Sequence, residues 1–129
     1  MKLKLIGIAA LTLAAAGCVN VEATRLSANE VLPARLASEV TIYTSRESLK
    51  QPYREIALLE ANGDGETTSE RVFYESMRKR AAKLGANGLI LEPGLEPGPT
   101  VKIAATLLDV QYTRYRHAVA ILVDRSAAR

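Results

Sequence analysis

Between Thr67 and Leu91 the chain reads TTSERVFYESMRKRAAKLGANGLIL, which carries in succession the marks of an amphipathic helix, its stop and a buried strand. Thr67 is placed as N-cap with Glu70 three residues on, the T-x-x-E pattern in which each side chain satisfies an orphan backbone N–H. Phe73, Met77, Ala81 and Leu84 recur at the spacing of one helical face. Glu66 and Glu70 stand at the positive end of the helix dipole, and Arg78, Lys79, Arg80 and Lys83 at the negative end. Gly85 follows the last apolar residue and suits the left-handed conformation that closes a helix, and Asn87-Gly88 supplies turn chemistry. Leu89, Ile90 and Leu91 have no polar face, which predicts a strand covered on both sides and therefore interior to its sheet.

The flanking segments read mainly as sheet. Val40 to Thr44 (VTIYT) alternates and is β-branched, a strand by pattern. Tyr53 to Ala61 is only nine residues long and is bounded by Pro52 and by Asn62-Gly63-Asp64-Gly65, so it is assigned to strand although its helix propensity points the other way. Glu92 to Thr100 is a proline- and glycine-rich loop, and Val101 to Val110 fits either a strand or a short helix. Tyr112 to Asp124 forms the last strand, with Tyr112, Arg114 and Arg116 on one side and Thr113, Tyr115 and His117 on the other, before a wholly apolar run from Ala118 to Val123. The order is strand, strand, helix, strand, strand, and a helix between the second and third strands acts as a right-handed crossover that makes those two parallel. The expected fold is a small α+β domain over residues 39–125, a single mixed sheet of about four strands with one amphipathic helix on one face, followed by a frayed tail at 126–129. The other sheet face must be solvated, covered by loops or the preceding segment, or buried against another protein.

The first residues have the layout of a secretory signal: Lys2 and Lys4, an apolar stretch from Leu5 to Gly17, and the small residues Ala15-Ala16-Gly17 before Cys18. That stretch of 13 residues reaches about 20 Å as a helix, short of a bilayer core of about 30 Å. Ala-Ala-Gly-Cys resembles the lipobox of bacterial lipoproteins, with Ala15 where that family usually has leucine. The resemblance implies cleavage after residue 17, a diacylglycerol on the Cys18 thiol and an acyl chain such as palmitate on its amine; the alternative is an ordinary signal peptide with a coincidental cysteine. Residues 18–38 then read as a lipid-anchored tether, roughly 65 Å long if fully extended, unless Val31, Leu32 and Leu36 pack onto the domain and shorten it. Removing residues 1–17 takes away Lys2 and Lys4 and lowers the formal charge from +3 to +1, so nucleic acid is not an expected partner. Cys18 is the sole cysteine, so no disulfide forms within the domain.

Chemistry-bearing clusters are sparse. His117 is the single histidine, and Ser45, Ser48, Ser69 and Ser76 lack the context of an activated nucleophile. Zinc requires three or four closely spaced ligands, which the sequence does not offer. Glu92 and Glu96 recur in the turn-rich loop without the spacing of a calcium site. No catalytic residue, cofactor or metal site is expected, and the chain is not expected to be an enzyme. Tyr112, Arg114 and Arg116 form the candidate partner surface, because tyrosine and arginine supply rigid contact area and strong hydrogen bonds at interfaces; the competing reading is a solvated strand end kept soluble by its arginines.

The strand VTIYT, the segment YREIALL, the run RKRAAKLGANGLIL and the closing strand AVAILV together resemble the Rcs stress-sensing outer-membrane lipoprotein and the related YbjQ-type domains, over roughly Val40 to Asp124. The Rcs-type sensor carries domain disulfides and a long proline-rich basic tether, neither of which stands in this sequence. A YbjQ-type domain implies heavy-metal binding, for which this chain offers only Cys18, assigned to lipid, and the lone His117. The resemblance implies a membrane-anchored, non-enzymatic envelope lipoprotein, facing the periplasm, that binds another envelope protein or a second copy of itself in envelope sensing or maintenance. Val19 after the cysteine is not the aspartate that retains many such lipoproteins in the inner membrane, so the outer membrane is expected. The alternative is a periplasm-facing module for a small ligand or metal.

Overall fold

A computed structural model of the chain describes residues 19–93, 98–109 and 112–126. Cys18 and the signal-like segment before it lie outside the described residues, as do Glu96 and residues 127–129. The elements are β1 (Asn20–Arg25), β2 (Thr41–Tyr43), β3 (Tyr53–Asp64), α1 (Glu70–Lys83), β4 (Gly88–Leu91), α2 (Pro99–Leu108) and β5 (Thr113–Val123), with 3-10 turns at Ala37–Glu39 and Arg46–Ser48. The fold is α+β, one mixed sheet in the order β1-β3-β5-β4-β2. The long strands β3 and β5 pair antiparallel at its centre, β1 adds antiparallel to β3, and β2 runs parallel to β4. β4 is interior, as its apolar triplet predicts, flanked by β5 and β2.

The crossover expectation holds in direction and changes in neighbours. β3 and β4 both run antiparallel to β5, so they point the same way, but β5 lies between them. The extra strand comes from the segment expected to be a tether. Asn20 to Arg25 pairs along β3 from Asn62 to Ala57, with Val21 and Ala23 turned to the core and Glu22 and Thr24 to the opposite face. An alternating hexapeptide beside an open strand edge gains backbone hydrogen bonds that a solvated tether would make only to water. The chain that follows is also tied down: the Leu26 N–H donates to Ile56 O, Glu30 pairs with Arg54, and the Arg35 N–H donates to Ala82 O at 2.8 Å. Leu32 packs against Gly85, whereas Val31 and Leu36 are exposed.

α1 starts two residues later than the T-x-x-E pattern predicts. Ser69 is the N-cap and accepts from the Val72 N–H, while Thr67 donates to the Asp64 carboxylate in the turn before the helix. Glu70, freed from capping, points across to β5. Phe73, Met77 and Ala81 are fully buried against Ala57, Leu59, Ala61, Leu89, Ala118 and Ala120. The small alanines of β3 and β5 let the helix seat closely on the two central strands. Gly85 ends the helix at φ 87°. Asn87 does more than turn the chain: its side chain is buried and bonds both the N–H and the C=O of Val123, extending the β4–β5 ladder.

A second, smaller core lies on the other sheet face. Ile90, Val119, Ile121 and Val123 pack there with Tyr43, Leu49 and Tyr53. A register shift in β3 between Glu55 and Ala57 makes this possible. The extra residue reverses which parity faces the helix, so Tyr53 and Glu55 lie opposite to Ala57 and Leu59. The segment 44–52 closes over this half, held by Arg46, which pairs with Glu55 and with Glu92.

Candidate functional site

The first half of β5 carries Arg114 and Arg116 of the residues singled out as a partner surface, with Tyr112 just before it, and its two faces have different fates. Arg114 and Arg116 pair across the sheet with Gly63 and Ala61, whose side of β3 faces α1. Both guanidinium groups sit over the Phe73 ring at 5.6 Å and both pair with Glu70. Arg114 also donates to Thr68 O, and Arg116 to Tyr115 O at 2.8 Å. Arg116 is only 7% exposed. Tyr112 packs over Gly65 and donates its hydroxyl to Gly65 O. The alternation of the strand is as predicted, but the face chosen as a partner surface is the one α1 covers.

Glu70 holds this cluster together. The hydrogen bond from Arg116 lowers its pKa to about 2, with Tyr74 and the charges of Arg116 and Arg114 acting in the same sense and burial opposing. The arrangement closes the helix N-terminus onto β5, and beside it lies a groove lined by Thr44, Tyr74, Leu91, Glu92 and Arg116.

The opposite face of the same strands is open. Here β1 presents Asn20, Glu22 and Thr24, β3 presents Leu58, Glu60 and Asn62, and β5 presents Tyr115 and His117. Leu58 and Tyr115 are exposed large apolar groups on a flat surface. Glu60 and His117 are direct cross-strand partners at 3.0 Å. Glu22, Thr24, Leu58, Glu60 and His117 enclose a shallow depression of about 280 Å³. Cross-strand neighbours set side by side on one face give a rigid array whose chemistry is mixed: one ring, one aliphatic side chain, a carboxylate pair and an imidazole.

No protein-family model matches the chain, and no curated relative does. A solved structure of a Francisella virulence factor, FvfA, is similar, with a TM-score of 0.53 over 79% of this chain and 96% of that one at 13% identity. At that identity the likeness bears on fold alone. It extends over most of the strand-and-helix arrangement described above.

Among the described residues no group of three or more His, Cys, Asp or Glu side chains is placed to hold a metal ion, and none of their helices is long and apolar enough to cross a membrane. The acidic turn Asn62–Glu66 uses Asp64 to receive the N–H groups of Glu66 and Thr67. The basic cluster Arg78–Lys83 lies at the end of α1 remote from the Glu70 cluster. Glu96, half of the repeated carboxylate pair, lies outside the described residues. Leu58, Glu60, Tyr115 and the β1 residues were not legible as one surface, because the pairing of β1 with β3 is a long-range event. The alternation of β5 was the available signal; it defines two faces without saying which one receives the helix.

Proposed function

We propose that this protein is a lipid-anchored, non-enzymatic envelope protein whose open half-sheet binds another envelope protein. The observation that carries the reading is the asymmetry of the second sheet face. The half beneath segment 44–52 is sealed by its own apolar cluster, while the half formed by β1, β3 and the start of β5 leaves Leu58 and Tyr115 exposed on a flat, rigid array. A central aromatic and aliphatic anchor ringed by polar side chains is the composition of a binding patch. Acylation of Cys18 supplies the address, the outer membrane with the domain on its periplasmic side. The small-ligand alternative has weaker support, since the groove beside Arg116 draws its polar groups from a cluster that already holds Glu70.

A photo-crosslinking side chain at position 115 tests the reading in intact cells. A discrete crosslinked species is expected from position 115, lost when Leu58→Glu is added, and none from position 79 on the exposed side of α1. Equal products from both positions, or none from 115, would remove the open half-sheet as the binding surface.

A further inference from the structure

α2 is an apolar helix with no core of its own. None of its residues is buried, and Val101, Ile103, Leu107 and Leu108 are all exposed, the two leucines at 79% and 72%. At 100° per residue, Ile103, Leu107, Ala104, Leu108, Val101 and Ala105 span rather more than half of the helix circumference, with Thr100 of the first turn inside that arc and Lys102 and Thr106 on the opposite side. Ten residues make a rod of about 15 Å, half of a bilayer core. Such a helix can lie in a membrane interface and cannot cross one.

Its position in the topology says what covers it. The β4–β5 connection leaves the sheet at Glu92, whose N–H donates to His117 O, and returns at Thr113 opposite Asp64. Both points belong to the end of the sheet where β1 begins, since Asn20 pairs with Asn62 and Asn62 with Tyr115. Val19 already packs on the main core, and Cys18 is its neighbour in the sequence. The basic cluster at the C-terminal end of α1 lies at the other end, beside Arg35 and Ala82. An acyl chain on Cys18 therefore brings this one end of the domain to the bilayer, and α2 hangs from it.

We infer that α2 is an interfacial helix that seats its Val101–Ile103–Leu107–Leu108 face among the lipids next to the acylated Cys18, fixing the domain's orientation on the membrane. The inference rests on the acylation proposed above. It makes the protein a two-point membrane binder, in which the chains on Cys18 hold it down and α2 stops it pivoting.

The test uses full-length protein reconstituted into vesicles of phosphatidylethanolamine and phosphatidylglycerol. An acylated Cys18 is not available to thiol reagents, so Leu107→Cys, Val101→Cys and Lys79→Cys each take one environment-sensitive fluorophore. Expected are a blue shift at 101 and 107 and quenching there by nitroxide-bearing lipids, with the label at 79 unchanged. Water-like emission at 101 and 107, in protein whose intact mass shows an acylated Cys18, overturns the helix seating and leaves the anchor standing. A blue shift that forms without lipid and grows with protein concentration overturns it too, because a second copy then covers α2. An unmodified Cys18 overturns the anchor and the seating together.

Discussion

Gly85 shows how much one residue can settle when two elements meet over it. Its φ of 87° is a conformation that a side chain strains. The contact is as restrictive as the dihedral, since a Cβ there would lie 2.4 Å from the Leu32 Cβ and 2.9 Å from Pro33 O. Gly85→Ala is therefore expected to cost more than the about 1 kcal/mol of a left-handed alanine alone, read as a lowered urea midpoint. Gly85→Val should cost more again, and equal midpoints for wild type and both variants would mean that the 26–36 segment does not pack there. Glu70 makes a separable prediction. Its pKa is lowered to about 2, so its contribution is fully present above the ordinary carboxylate range and is lost as the pH falls through that range toward about 2. Thermal melts should show wild-type stability falling over this window and Glu70→Gln giving a flatter profile. Near neutral pH the substitution should cost about 1–2 kcal/mol, below the about 3–5 kcal/mol of a fully buried pair, because the Glu70 side chain is 42% exposed.

At the scale of elements, β1 and α2 are the pieces that change the meaning of the chain. β1 converts β3 from a sheet edge into an interior strand and places Val21 and Ala23 on the core. Its pairing predicts slow amide hydrogen exchange within residues 20–25 of the intact protein, in contrast to residues 27–31, which lie in an exposed connection. Exchange in β1 at the rate of a free peptide would return the segment to a tether. α1 is amphipathic in the ordinary way, yet its N-terminus is fixed by β5 through Glu70, Arg114 and Arg116 as well as by its cap. α2 has the opposite character, an apolar surface none of whose residues is buried.

For the whole molecule, the consequence for the proposed anchor is distance from the membrane. A tether of about twenty residues would let the domain stand clear of the head groups, but β1 begins two residues after Cys18. On the proposed acylation of Cys18, the domain would be held flush with the surface. Acyl chains contribute about 0.8 kcal/mol per buried CH₂ and several are needed for stable anchoring, so Cys18→Ser is expected to move the protein from the membrane pellet to the soluble fraction. Retention of that variant in the pellet after a high-salt wash, with an intact mass showing residues 1–17 removed, would show that α2 or a protein partner anchors it unaided.

Local chemistry and periodicity sufficed for the parts of this protein that are local. The α1 face of Phe73, Met77 and Ala81, the glycine stop at Gly85, the interior strand at Leu89–Leu91 and the division of β5 into an alternating half and an apolar half are all written in runs of a few residues. Each depends on interactions within one or two turns, or on the side-chain period of a strand. The α+β class follows from them. Long-range pairing decided the rest. β1 is a short alternating segment that has meaning only beside the edge of β3, and the one-residue shift near Ile56 reverses a face without any change in composition. The side of β5 that meets α1 carries Ala118 and Ala120 in the core and the two arginines that pair with Glu70 over Phe73. The period of a strand is two whichever face is buried, so only tertiary packing could choose between them.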